Sequence, residues 1–327
     1  VAVTPLPVFP AIGEGALGAV ERLALDPHLR LVATPRAARV LLVAGAQRPA
    51  DRLALASVHD QLPAPRRTLW WRSDPLPGLD AGRRLPDDLD AAAATLTAGL
   101  GEDDEPAILD DRPPNPWEGI GPHGQGGEGM MGGTPYGRPM PMTADDLRDG
   151  LALDPYSAMF GPYLAAFPPG LSLRITLQGD VIQSATPMSA PYTQDGFAAT
   201  PHCALARVLR LMELPALAER LVRAAAADPD APRPRLARAV RWSGLLAAIP
   251  PGLGAVGGRD VRGRVRGLID ALTKGTRRDD DAVPDLAGLL PGLEWQEAVL
   301  CLVSFDLARL REAAVPPAAA HGGRAAA

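Results

Sequence analysis

"LVATPRAARVLLVAGA", residues 31–46, ends in a run from Arg39 to Ala46 that is apolar almost without a break and contains Gly45 near its close. A strand buried on both faces reads this way, because a parallel sheet covered by helices has no solvent side. Working outward, "LRLVAT" (29–34) is a second short strand stopped by Pro35, and "RTLWWRS" (67–73) is a third, stopped by Asp74 and Pro75. Between and around them lie segments of helical period: "AIGEGALGAVERLAL" (11–25), "ADRLALASVHDQL" (50–62) and "PDDLDAAAATLTAGL" (86–100). Strand and helix in alternation predict an α/β unit over 1–110, a doubly wound and mostly parallel sheet.

Residues 101–150 change character, with the connector itself expected over 111–150. They begin acidic and Pro-rich, and "GIGPHGQGGEGMMGGTPYGRPMPM" (119–142) is dense in Gly, Pro and Met. This composition predicts a connector with no core of its own. The second unit, 151–315, is predicted to be mainly helical α+β. It opens with a hairpin, "SLRITLQGDVIQSA" (172–185), in which Leu173, Ile175 and Leu177 alternate and Gln178–Gly179–Asp180 supply the turn. Helices are expected at 204–227 (broken near Pro215), 235–248, 260–274 and 294–314, with a frayed tail at 316–327.

The chain has 327 residues, a net charge of −5 and 46% apolar residues, and Lys274 is its only lysine. These values describe a globular chain without a large basic patch, so nucleic acid is not an expected partner. Two cysteines 98 positions apart, Cys203 and Cys301, make no disulfide framework and read as buried thiols. No apolar run is long enough to span a bilayer, and no leader pattern is visible, which gives a cytoplasmic expectation.

Motifs of chemistry are sparse. Gly124-Gln-Gly126-Gly127-Glu-Gly129 has dinucleotide-fingerprint spacing, but Pro122 precedes it and another glycine-rich turn follows, where the fingerprint needs a strand and then a helix. His123, Met130, Met131, Met140 and Met142 cluster in sequence and are weak candidates for a Cu or Ni site. The bland alternative is that the thioethers fill gaps in an irregular loop. His202 and Cys203 are adjacent on a helix and therefore point apart by about 100°.

Three stretches resemble a known family. "LVATPRAARVLLVAGAQ" and "PAPRRTLWW" are similar to segments of nickel–iron hydrogenase small subunits and of the matching complex I subunit. "GPYLAAFPPGLSLRITLQGDVI" and "PDLAGLLPGLEWQEAVLCLVSFDLA" resemble the opening hairpin and the closing stretch of the large subunit, whose complex I homologue is the quinone-site subunit. Where the resemblance puts cluster cysteines, this chain reads Ile12–Gly13–Glu14–Gly15, Arg72–Ser73–Asp74 and Pro86–Asp87–Asp88, and the nickel C-x-x-C pairs are missing. A cubane cluster needs thiolates, so no cluster and no resident cofactor are expected.

The resemblance implies a fused, cofactor-depleted subunit docked on antiporter-like, proton-translocating membrane subunits. It would be peripheral to the membrane through those partners and structural or coupling in role. The alternative it implies is a quinone-linked NADH dehydrogenase or hydrogenase-type oxidoreductase subunit that receives electrons from partner clusters. Tyr163, Phe167 and Tyr192 would then be the quinone-site residues and quinone the ligand. A third possibility is metal handling through the 119–142 loop.

Overall fold

A computed structural model describes residues 4–79, 82–98, 104–110, 155–165, 167–277 and 281–314. The N-terminal unit is α/β, with a parallel sheet of five strands: β1 (Leu6–Ile12), β2 (Leu29–Leu31), β3 (Val40–Ala44), β4 (Arg67–Trp71) and β5 (Arg83–Arg84), in the order β2-β1-β3-β4-β5. Helices α1 (Leu17–Leu23) and α3 (Leu89–Thr97) cover one face, and α2 (Arg52–Asp60) covers the other. The central strand β3 is buried at all five positions, as its unbroken apolar run requires.

The sequence-based helix over 11–25 is corrected at its start. Residues 6–12 form β1, although "LPVFPAI" contains Pro7 and Pro10. Proline is tolerated here for a definable reason. Leu6 N–H donates to His28 O on the β2 side, and Gly13 N–H donates to Ala44 O on the β3 side. Even-numbered nitrogens of β1 therefore face β2 and odd ones face β3. Pro10 points past the end of β2 at Leu31, and Pro7 points short of the start of β3 at Val40, so neither removes a ladder bond.

The second unit opens with an antiparallel sheet, β6 (Pro155–Phe160), β7 (Ser172–Gln178) and β8 (Val181–Ser189). The predicted hairpin is β7–β8. Strand β6 was not foreseen; 161–165 and 167–171 lie between it and β7. Leu173, Ile175, Ile182 and Ala185 pack the inner sheet face on the helices. These include α4 (Pro201–Leu211), α5 (Pro215–Ala227), α6 (Pro234–Trp242), α7 (Leu245–Ala248), α8 (Val261–Lys274), α9 (Leu286–Leu289), α10 (Trp295–Ser304) and α11 (Leu307–Ala313). The predicted 294–314 helix is two helices, because Phe305 is extended and Asp306 caps a new start by accepting from Ala308 N–H. Among the described residues, no helix is long and apolar enough to cross a membrane.

Helix α4 starts on a capped turn: Thr200 accepts from Cys203 N–H, Pro201 is first, and His202 is second. His202 is 2% exposed, and neither ring nitrogen has a hydrogen-bond partner. Burial, then nearby Arg233, hold its pKa below the ordinary 6.5, against a smaller pull from Asp228 and Asp230. The unfolded chain thus takes up this proton before the folded one. His202 therefore costs no stability above about pH 6.5 and destabilises the fold progressively below it, by at most about 1.4 kcal/mol per pH unit. Urea unfolding at pH 7.5 and 5.0 should show this loss in the native chain. In His202→Leu the loss should shrink by that one-proton component, and an equal loss in both proteins would refute the assignment.

Candidate functional site

Strands β1 and β3 are neighbours whose following helices leave to opposite faces of the sheet. The crevice outside their carboxyl ends is where doubly wound sheets bind ligands. Here it is formed by Gly13, Glu14 and Gly15 after β1, and by Gly45 to Arg48 after β3, with Asp51 just before α2. The second unit reaches into it with Tyr163, from the loop after β6, and with Tyr192 to Asp195, from the segment after β8.

Gln47 sits at the centre. Its amide nitrogen lies 2.9 Å from Gly45 O and 3.3 Å from Ala44 O. Its amide oxygen accepts from Tyr163 Oη at 2.8 Å, with Tyr192 Oη at 3.5 Å. Tyr192 Oη donates to Asp51 Oδ2 at 2.6 Å and accepts from Arg48 N–H at 3.1 Å. The Arg48 guanidinium pairs with Asp51 at 2.8 Å, donates to Ala190 O and Gly170 O, and stacks 4.3 Å above the Tyr192 ring. Gly170 lies against that ring, where a Cβ would come within 2.4 Å of it. Burial raises the Tyr192 pKa to about 12 and the Tyr163 pKa higher still. Burial opposes the charge of Arg48, yet the bonds to Asp51 and the neighbouring Tyr192 leave its pKa raised. Both phenols are therefore neutral hydrogen-bonding groups at physiological pH, far from the pKa range suited to proton transfer.

The β1–α1 turn carries a pattern that the sequence reading passed over. Gly13-Glu-Gly15-Ala-Leu-Gly18 has G-x-G-x-x-G spacing and, unlike residues 124–129, follows a strand and opens a helix. It was hidden because residues 11–25 read as one helix. The space beside this turn is filled by the second unit. Leu17 N–H donates to Gln194 Oε1, Gln194 Nε2 donates to Gly13 O, and Gly15 N–H donates to Thr193 O. A Cβ at Gly18 would lie 2.4 Å from the Asp195 carboxylate.

The structure brings Tyr163 and Tyr192 together on Gln47, but not Phe167. The Phe167 ring stacks on Trp295 at 5.6 Å, within the core of the second unit. Tyr163 and Phe167 do share a cleft of about 590 Å³ between the units, lined mainly by apolar groups of α1, β2, the 162–169 loop and α4. In its wall the buried Glu21 of α1 accepts hydrogen bonds from both terminal guanidinium nitrogens of Arg210 of α4, each at 2.6 Å. The weak metal candidates His123, Met130 and Met131 lie outside the described residues, as do Met140 and Met142. The donor set for a cluster does not fit. Ile12–Gly15 and Arg72–Asp74 hold no thiol, and Cys203 and Cys301 are buried in the helical unit, where burial pushes each thiol up to about 11.

Comparison with family models, with curated proteins and with solved structures gives no match.

Asp195 Oδ1 also accepts from Ala198 N–H, so the carboxylate cannot yield to a new methyl group without losing that bond. A Gly→Ala change inside a helix ordinarily stabilises by about 1 kcal/mol. Gly18→Ala should show no such gain in the native chain and should recover it in the Asp195→Ala background. Urea unfolding of the four proteins of this cycle measures the difference. Additive effects would show that the two units do not meet at this turn.

Proposed function

We propose that the chain is a structural or coupling subunit of a complex I-like or hydrogenase-like assembly. In this reading it fuses the small-subunit-like and large-subunit-like units and docks on antiporter-like membrane subunits without carrying a cluster. One observation supports it above others: the crevice that would receive a ligand in a doubly wound sheet is closed by the protein itself. Gln47 with Tyr163, Asp51 with Tyr192, and Leu17 with Gln194 bridge it. Polar groups at that edge are spent on holding the units in one relative position, as a docking platform requires. Purification of the tagged full chain from detergent-solubilised native membranes should bring down membrane subunits in stoichiometric amount. The chain isolated by itself, without oxygen, should lack iron. A lone monomer in both membrane and soluble fractions, or stoichiometric iron in the isolated chain, would refute the reading.

A second reading is favoured by the cleft. A volume near 590 Å³ with Leu25, Leu29, Leu164, Phe167 and Leu211 in its walls suits an amphipathic ring compound such as a quinone. Under that reading the chain is a quinone-linked oxidoreductase subunit served by partner clusters. A short-chain ubiquinone should then quench intrinsic tryptophan fluorescence saturably, Trp295 lying against Phe167. Leu164→Arg, which places a charge in the wall, should weaken that binding at least tenfold. Unsaturable quenching, or identical binding by the variant, removes the quinone reading and leaves the platform reading standing.

A further inference from the structure

The net charge of the whole chain is −5, but the charge is unevenly placed. Between residues 234 and 277 there are nine arginine and lysine side chains, two aspartates (Asp260 and Asp270) and no glutamate. Both aspartates are occupied. Asp260 caps α8 by accepting from Gly263 N–H and also accepts from Gly252 N–H, while Asp270 pairs with Arg241. Some of the cations are turned inward or tied down as well: Arg264 is buried, Arg259 pairs with Asp281, and Arg262 donates to Ile249 O. Arg235, Arg238, Arg266, Lys274 and Arg277 remain exposed.

Their arrangement follows from helix geometry. Helix α6 buries Leu236, Ala237 and Val240. At about 100° per residue, Arg235, Trp242, Arg238 and Arg241 then fall within an arc of about 120° on the opposite side. On α8, Arg266, Asp270 and Lys274 are spaced four apart and form one row. The Arg241–Asp270 pair sets that row beside the α6 stripe. Trp242 closes the stripe and is 85% exposed, the most exposed of the large apolar side chains in the described residues. After it, "WSGLLAAIPP" (242–251) is ten residues without a charge, and Ala247, Ala248, Pro250 and Pro251 are exposed.

We propose that this α6–α8 face is a docking surface for an anionic lipid bilayer, with the arginines on the headgroups and Trp242 and the 243–251 tip in the interfacial layer. Arginine clusters are drawn to anionic leaflets, and an exposed indole is favoured at the headgroup level. The uncharged tip distinguishes this partner from a nucleic acid. A strand-binding track needs several aromatic platforms in line with its cations. Here there is one indole, and the neighbouring exposed residues are alanine, proline and glycine, which offer phosphates no side-chain donor. The inference stands independently of the function proposed above, because it needs only lipid.

The test is co-sedimentation of the full chain with vesicles of phosphatidylcholine alone and with vesicles containing about 30% phosphatidylserine. Binding should be confined to the anionic vesicles and released by about 0.5 M salt, which shortens the screening length to a few ångströms. The Arg235→Glu/Arg238→Glu protein should bind at least tenfold more weakly. Tryptophan emission should shift to the blue on binding in the native chain and not in Trp242→Phe. All three side chains are exposed, so circular dichroism melts should be unchanged. Equal binding to both vesicle types, no binding, retention by the double variant, or displacement from vesicles by a single-stranded oligonucleotide that uses the same arginines would overturn the proposal.

Discussion

The amide of Gln47 is the constraint on which the joining of the two units rests. Beyond the end of β3 the chain turns through Gly45 at φ +77°, and the carbonyl of Gly45 lies at the rim of the sheet beside that of Ala44, which already accepts from Gly13 N–H. Gln47 folds back to meet them with its nitrogen, which leaves its oxygen facing outward for the phenols of Tyr163 and Tyr192. One side chain therefore completes the N-terminal sheet and defines where the second unit must sit. A buried polar network of this kind is costly when half satisfied and rigid when complete. The Arg48–Tyr192 stack then orients the second unit, since the guanidinium above the ring also holds the carbonyls of Ala190 and Gly170.

How much of this was legible in the sequence depends on the range of the interaction. β3, β4 and the β7–β8 hairpin were readable because burial on two faces, or on one face in alternation, writes itself into consecutive residues. β1 was not, because its prolines count against a strand unless the lengths of its neighbours are known. The glycines at 13, 15 and 18 were visible in the sequence and lost their meaning inside an overlong helix. Tyr163 and Tyr192 were singled out through a family resemblance, but Gln47, Arg48 and Asp51 were not. Their roles arise from contacts across 116 to 145 positions, for which a single sequence carries no local pattern. Phe167 shows the reverse case. It was grouped with the tyrosines through the same resemblance, and the loop turns it instead onto Trp295.

The two tyrosines and the cleft also separate two kinds of site that were expected to coincide. Tyr163 and Tyr192 belong to a closed network in which every hydroxyl has its partners. The cleft beside them owes most of its wall to apolar residues of α1, β2 and the 162–169 loop; of its charged lining groups Glu21 and Arg210 pair with each other, and Arg30, Arg207, Glu213 and Glu219 also border it. A ligand there would gain chiefly from burial of apolar surface, so its shape would weigh most in its selection. The joint could persist unchanged whether or not the cleft is filled.

Net charge was the least informative of the sequence-level quantities, and the reason is physical. Electrostatic attraction to a surface decays within about 8 Å in physiological salt, so a partner senses the face it approaches and not the total. The acids that make the chain negative are concentrated elsewhere, as in the run 102–105 and the 85–90 segment. Helix α6 contains none, and its arginines recur at the spacing of one helical face while its apolar residues recur on the other. Such a helix has little internal need for that many cations: it buries Leu236, Ala237 and Val240, and among the described residues its ion pair to another helix is that of Arg241 with Asp270. Cations that neither pack nor pair inside the molecule impose mutual repulsion on the folded state. That repulsion is relieved when the face meets a negative surface, so the stripe is better explained by what the molecule touches than by how it folds.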